Sequence, residues 1–304
     1  MPTRRNILAA TGPAAMASTG AAAEAAAPTP LTFATTADHV RAFLKLHVSL
    51  NAETVYHLYV GTLEAVVPDR DIVNLMSSTT IIRREVEPGP NGHLINIWEA
   101  TVYHRPGESE PLNEFVNPLN GRTVQPFHQR EGRGQFLWSD TGPQVMRDGA
   151  WASINRTGKP FAFDWSQAGE RIWVSRYSSG VYANNPLDPA KWPLEYSGPL
   201  RYSEKTTNSG LIRELADPAV VNASATYSLH QVMAWWPWLL MGQQPGYLAW
   251  NTNGVKLNSP DQIPAQTRAM MTKVHPTIFA AGVPWEGHVS LWTDFPQMRK
   301  PERV

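Results

Sequence analysis

From Glu53 onward, apolar and polar residues alternate with a period of two, the signature of strands that bury one face. Tyr56, Leu58 and Val60 alternate with His57 and Tyr59, and similar runs cover 79–86, 94–104, 124–129, 225–233 and 247–257. Helical spacing occurs in few places. Asp38 precedes Val40, Phe43, Leu44 and Val48, close to the spacing of one helical face. Ile263, Thr267, Met270, Met271 and Val274 form another stripe, with Pro264 suited to its first turn, and 211–221 reads as a brief helix or turn. Asn91-Gly92, Asn120-Gly121, Asp148-Gly149 and Asn253-Gly254 supply the positive backbone dihedrals of tight hairpins. These turns predict an antiparallel meander, since a parallel sheet needs helical crossovers that the pattern lacks. The proline-rich stretch 185–193 reads as a long surface loop.

A meander of this length must hide its edges, and closure is the usual solution. The expected fold is therefore mainly β: an antiparallel meander closed into a lipocalin-like barrel with a few peripheral helices. A two-sheet sandwich is the alternative. No repeat or linker divides the chain, so 28–304 is read as one domain.

The N-terminus changes the picture. Thr3-Arg4-Arg5-Asn6-Ile7-Leu8 followed by an alanine-rich run and Ala25-Ala26-Ala27 resembles a twin-arginine export signal over 1–27. Alanine is too weakly hydrophobic, and the run too short, for a stable membrane anchor. The expected location is periplasmic or secreted. The absence of cysteine removes disulfides, thiolate metal sites and thiol nucleophiles, and agrees with export. Lys+Arg and Asp+Glu balance at 26 each, leaving no basic field for nucleic acid.

The densest apolar feature is Trp235-Trp236-Pro237-Trp238-Leu239-Leu240-Met241-Gly242, continuing through Pro245-Gly246 to Gly254-Val255-Lys256. Gly61 after an aromatic strand, Glu99 and Tyr103 before a charged turn, and Asn117-Pro118-Leu119-Asn120-Gly121-Arg122 accompany it. Together these resemble the bacterial family known as domain of unknown function 1838, many of whose members look exported. The resemblance covers most of the chain beyond the signal and implies no activity. Asn120 stands where threonine is usual in the family's Asn-Pro-x-Thr-Gly turn. Gln129-Arg130-Glu131-Gly132, after His128, departs from an Asn-Asp-Pro pattern common in relatives, which implies a different ligand if that pattern shapes a pocket.

Standard catalytic and nucleotide motifs are absent, and the nine histidines contain neither H-x-H nor H-E-x-x-H. Glu286-Gly287-His288 places two possible ligands on one strand face, too few to predict a metal. No cofactor is expected. A looser constellation remains. Alternation puts His93, Ile95, Ile97, Glu99, Thr101 and Tyr103 on one strand face and Leu94, Asn96, Trp98, Ala100, Val102 and His104 on the other. A mid-strand carboxylate such as Glu99 is costly unless paired or hydrated. Lining a hydrated lumen near Tyr103 satisfies it, and Arg83 or Arg176 would pair with it or hold an anionic substrate. His128 and His230, in apolar strands, are the candidate proton shuttles. Each admits a plainer reading: structural histidines, a cross-strand ion pair, and a tryptophan cluster that is simply core. His39, His47, His57 and His104 suggest only packing or surface.

The chain is thus expected to be an exported, cofactor-independent lyase, isomerase or hydrolase acting on a small apolar or aromatic molecule. Glu99, His128, His230 and Tyr103 would carry the chemistry, and Arg83, Arg176, Trp98, Trp236 and Trp238 would bind substrate. The alternative is a lipocalin-like carrier that holds a hydrophobic ligand without transforming it.

Overall fold

The computed structural model describes residues 31–182, 185–283, 291 and 294–302; the export-like segment and Glu286-Gly287-His288 lie outside them. Helix α1 (Thr36–His47) comes first, and strands follow: β1 (Thr54–Val66), β2 (Val73–Gly89), β3 (Gly92–His104), β4 (Phe115–Val116), β5 (Thr123–Val124), β6 (Gln129–Ser139), β7 (Gly142–Arg147) and β8 (Ala150–Ser153). The second half holds β9 (Trp165–Ala168), β10 (Arg171–Tyr182), β11 (Leu200–Leu211), helix α2 (Ile212–Ala216), β12 (Thr226–Met233), β13 (Tyr247–Leu257), α3 (Ala265–Val274) and α4 (Phe295–Met298). No helix among the described residues is long and apolar enough to cross a membrane.

Eleven strands form one antiparallel sheet in the order β8-β7-β6-β3-β2-β1-β13-β12-β11-β10-β9, with β4 and β5 as a separate ribbon. The chain winds outward from β1 and returns inward to β13, and β1 pairs with β13 from Tyr56–Leu257 to Val66–Tyr247. The sequence leads to an antiparallel meander, and the sheet is one. Closure into a barrel needs correction: β8 and β9 are the free edges and do not pair with each other. The chain between them folds on itself instead of extending. Asn155 Nδ2 donates to the Lys159 carbonyl at 2.8 Å, Gly158 takes a positive φ of 71°, and Pro160 lacks a ladder donor. Phe161 and Phe163 then cross the gap, packing on Trp138 and Phe43. A continuous sheet also sets aside the two-sheet sandwich.

Cross-strand register fixes which side chains share the inner face, and they form three zones. At one end α1 inserts Val40, Phe43, Leu44 and Leu46 against Val55, Ile82, Ile95, Ile172, Val174 and Tyr227. Thr35 caps this helix reciprocally with Asp38, and the Lys256 Nζ donates to the Lys45 and Val48 carbonyls at its other end, at 2.7 and 2.9 Å. At the opposite end the tryptophan block packs with Leu63, Tyr103, Leu248 and Trp250. Between these apolar plugs runs a polar belt that includes Thr80, Thr101, Thr206 and Thr252, all buried. The outer face is covered near β2 and β3 by α3, whose Met270 and Met271 pack with Ile81, Trp98 and Val102.

The predicted turns at Asn91-Gly92, Asn120-Gly121 and Asp148-Gly149 are present, each glycine with positive φ. Asn253-Gly254 is not a turn but lies within β13, where a Cβ on Gly254 would stand 2.5 Å from the Leu58 carbonyl oxygen and 2.8 Å from the Tyr59 ring. The glycine there serves close approach, as isolated strand glycines often do. Likewise 124–129 is not one strand; it is split between β5 and β6 by an irregular stretch. Gly61 lies on the same β1–β13 seam, and a Cβ would fall 1.9 Å from the Asn251 carbonyl oxygen. The nearest contact at each glycine is to backbone, which cannot rotate away. Gly61→Ala should therefore cost about 3 kcal/mol of unfolding free energy. Chemical denaturation would check this, and a change below about 0.5 kcal/mol would show that the seam is not tightly packed.

Candidate functional site

Glu99 points from the centre of β3 into the inner face, and the pairing of β3 with β6 sets Glu131 directly across from it. The register slips by one residue between Ile97 and Glu99, because Gly132 and Arg133 add a bulge to β6. Bulges of this kind re-aim neighbouring side chains and are frequent beside active sites. Glu99 and Glu131 line a cavity of about 610 Å³ together with Arg84, His47 and, from the far side of the curled sheet, Arg176. Phe136, Trp138, Phe161 and Phe163 supply its aromatic wall. A larger groove of about 1020 Å³ lies between α1 and the β2–β3 hairpin, but none of its ionisable side chains is buried.

Burial is the main influence on the Glu99 carboxyl, and the facing Glu131 adds repulsion that outweighs the attraction of Arg84; its pKa is pushed up to about 8. Glu131 itself is exposed at the cavity mouth. Two carboxyl groups thus meet in different environments, a protonated one inside and one at the solvent side. Such asymmetry separates the roles of acid and base.

Below Arg84 lies a neutral histidine pair. The His57 Nε2 donates to the His47 carbonyl at 2.8 Å, so its Nδ1 is left to accept a hydrogen bond from Arg84 Nη1. His47 Nδ1 meets the Asn208 side-chain oxygen at 3.1 Å. Burial first, and the Arg84 charge second, hold both imidazoles well below their usual pKa. Tyr227 stacks on His57 at 4.4 Å between ring centroids and donates to the Leu46 carbonyl at 3.1 Å.

The residues expected from the sequence divide between the cavity and other places. Glu99 and Arg176 line it. Arg83 and Trp98 do not: they share the outer face, where the guanidinium carbon sits 4.3 Å from the Trp98 ring centroid. Arg83 is fully buried there, donating to the Thr277 and Val283 carbonyls at 3.1 and 2.7 Å and pairing with Glu85 at 3.3 Å. It pins the segment after α3 to the sheet. Tyr103 is on the Glu99 face as expected, but is enclosed by Trp236 and Trp238 at the apolar end, and Gln129 donates to its hydroxyl at 2.7 Å. His128 precedes β6, accepts the Tyr103 backbone N–H at 3.2 Å and lines a separate groove with Arg105 and Glu108. Burial takes its pKa down to about 4, so it is an acceptor that continues a strand ladder. His230 is exposed on the outer face, bonded to the Asn251 side chain. Trp236 and Trp238 fill core and line none of the described cavities.

The tryptophan block and the Asn117–Arg122 turn meet. Asn117 Nδ2 donates to the Leu239 carbonyl at 2.9 Å, and Asn120 Nδ2 to the Leu240 carbonyl at 2.9 Å. These donors satisfy carbonyls where the 3-10 turn Pro237–Leu239 ends and Leu240 takes a positive φ. Both sequence signatures are therefore scaffold at the end of the roll remote from α1. Arg84, Glu131, His47 and His57 were missed from sequence. One signal was present for Arg84: adjacent strand residues face opposite ways, so one member of Arg83-Arg84 had to face inward. Among the described residues, no group of three or more histidine, aspartate or glutamate side chains is placed to hold a metal ion.

Because Glu99 binds its proton more tightly in the fold than in the unfolded chain, its favourable contribution is complete below its ordinary pKa of 4.5 and is lost as pH rises through about 8. Glu99→Gln keeps the neutral shape at every pH. The variant should gain about 1–2 kcal/mol over the wild type between about pH 5 and 9, allowing for solvent reaching the cavity. Thermal unfolding across that range checks this; parallel curves would mean that Glu99 titrates as a surface carboxylate.

Sequence comparison gives no detectable match to any curated protein. The model of a family described as a protein of unknown function, DUF1838, matches residues 51–298, a span that contains every strand of the sheet and, His47 apart, the cavity residues named above. The chain belongs to the DUF1838 family.

Proposed function

We propose that the cavity is the active site of an exported enzyme that performs acid–base chemistry on a small, largely apolar or aromatic molecule. Glu99 is the proton donor, and Glu131 at the mouth is the carboxylate that accepts a proton or orients water. The observation that carries this reading is the direct opposition of the two carboxyl groups inside an aromatic-walled cavity, with the inner one held protonated near neutral pH. A group that keeps its proton near working pH and sits against an apolar wall is suited to protonating a leaving oxygen or an enolate carbon. Lyase, isomerase and hydrolase chemistry all use such a step, and none of them requires an organic cofactor to supply it. His57 positions Arg84, and His47 is held by Asn208 at the cavity wall. Export rests on the Arg4-Arg5 segment and its alanine-rich continuation.

A carrier that holds a hydrophobic ligand unchanged is the second reading, favoured by the cavity volume of about 610 Å³, which is ample for a small aromatic molecule. One experiment separates the two. The protein is incubated in deuterated water with a library of aryl esters, aryl hydroxy acids and aryl ketones, followed by mass spectrometry. Enzyme action appears as mass loss or deuterium at carbon, and Glu99→Gln should lower that rate by about 10²–10⁴-fold with folding retained. An equal rate in Glu99→Gln contradicts the assignment of Glu99, and ligands bound but recovered unaltered favour the carrier.

A further inference from the structure

Two guanidinium groups face this cavity with donors that no group among the described residues accepts. Arg84 is only 7% exposed, and the one hydrogen bond its side chain makes among the described residues goes to His57; its Nε has no acceptor there. His57 is neutral, so that bond supplies no counter-charge. Arg176 reaches in from β10, with its guanidinium carbon 5.2 Å from the Phe43 ring centroid. Its buried Nε also has no acceptor, and its guanidinium makes no hydrogen bond or ion pair with any described residue.

The nearby carboxyl groups do not neutralise this pair. Glu204 is occupied by Gln231 and Thr206, which donate to it at 3.1 and 3.2 Å. Glu131 is exposed at the mouth, and neither it, Glu99 nor Glu204 is within ion-pair distance of Arg84 or Arg176. Buried cations are retained when something pairs with them, because desolvation costs far more than an exposed charge would. Planar guanidinium forks match the paired oxygens of a carboxylate or a phosphate, and the aromatic wall favours the smaller, singly charged carboxylate. Glu131 at the mouth pairs with neither guanidinium and repels a second negative charge, so the complement of the pair is a single carboxylate.

We propose that the cavity binds a monoanionic carboxylate borne on an aromatic or apolar body, with Arg176 and Arg84 gripping the carboxylate and Phe136, Trp138 and Phe161 holding the body. This rests on the reading of the cavity as the active site and adds the charge of its substrate. The notable consequence is positional. The carboxylate is fixed on the arginine side, so the Glu99 side faces the rest of the molecule.

The test is equilibrium binding, which needs no turnover. Benzoate, 1-naphthoate and diphenylacetate are each titrated against the corresponding carboxamide by calorimetry and by the fluorescence of the cavity tryptophan. At least one acid should bind about tenfold more tightly than its amide. Arg176→Gln should reduce that preference to less than about twofold while amide affinity is kept, and Arg176→Lys should retain part of it through charge alone. The lysine variant carries the test if the glutamine variant fails to fold. Glu99→Gln should preserve the acid preference, so a failed catalytic assignment is distinguishable from a failed anion site. Equal affinity of every acid and amide, absence of saturable acid binding, or an acid preference that survives Arg176→Gln would overturn the proposal.

Discussion

Apolar side chains fill both ends of the inner face, and the polar row between them meets bulk water only through the cavity mouth at Glu131. That constraint organises the molecule. The α1 plug and the tryptophan plug hold the sheet in its curl, and the β1–β13 seam lets the last long strand return beside the first. Charges inside such an enclosure must be paired, neutralised or left reaching toward a cavity. The inner face uses the last two. Glu99 keeps its proton, His47 and His57 lose theirs, and Arg84 and Arg176 keep their charges beside open volume.

The two ends of the roll also divide labour. Residues that define the family-like signatures, the tryptophan block and the Asn-Pro turn, bind each other through side-chain amides and backbone carbonyls. They make the frame. The ionisable groups sit nearer the α1 end, where the β6 bulge and the crossing segment with Phe161 and Phe163 shape the opening. Because the gap between β8 and β9 is bridged by side chains instead of a hydrogen-bond ladder, that side of the cavity is built from elements that vary without disturbing the sheet.

Local order was legible in the sequence to the extent that it is set locally. Period-two alternation gave β1, β2, β3, β12 and β13, and glycine dipeptides marked real hairpins at Asn91-Gly92 and Asp148-Gly149. Asn253-Gly254 carries the same composition for another reason, the passage of the Tyr59 ring over a backbone that has no side chain. Glu99 stood out because a mid-strand carboxylate demands an explanation. Of its company only Arg176 is legible beforehand; Arg84, Glu131 and His47 are assembled by register across neighbouring strands and by the insertion of α1. Arg83 and Arg84 illustrate the limit: neighbours in sequence, they face opposite sides, one clamping a loop and the other lining the cavity. His128 and His230 had the right residue type and the wrong placement, which only strand pairing decides.

The central claim is that Glu99 holds its proton near neutral pH inside the cavity. Infrared difference spectroscopy of the wild type against Glu99→Gln isolates that one carboxyl stretch as pH is varied. A protonated-carboxyl band that persists through neutrality, fades near pH 8 and is absent from the variant is the expected result. A band that disappears near pH 4.5, the ordinary value for glutamate, would show that water or a cation reaches Glu99 freely and that the enclosure does not control its charge.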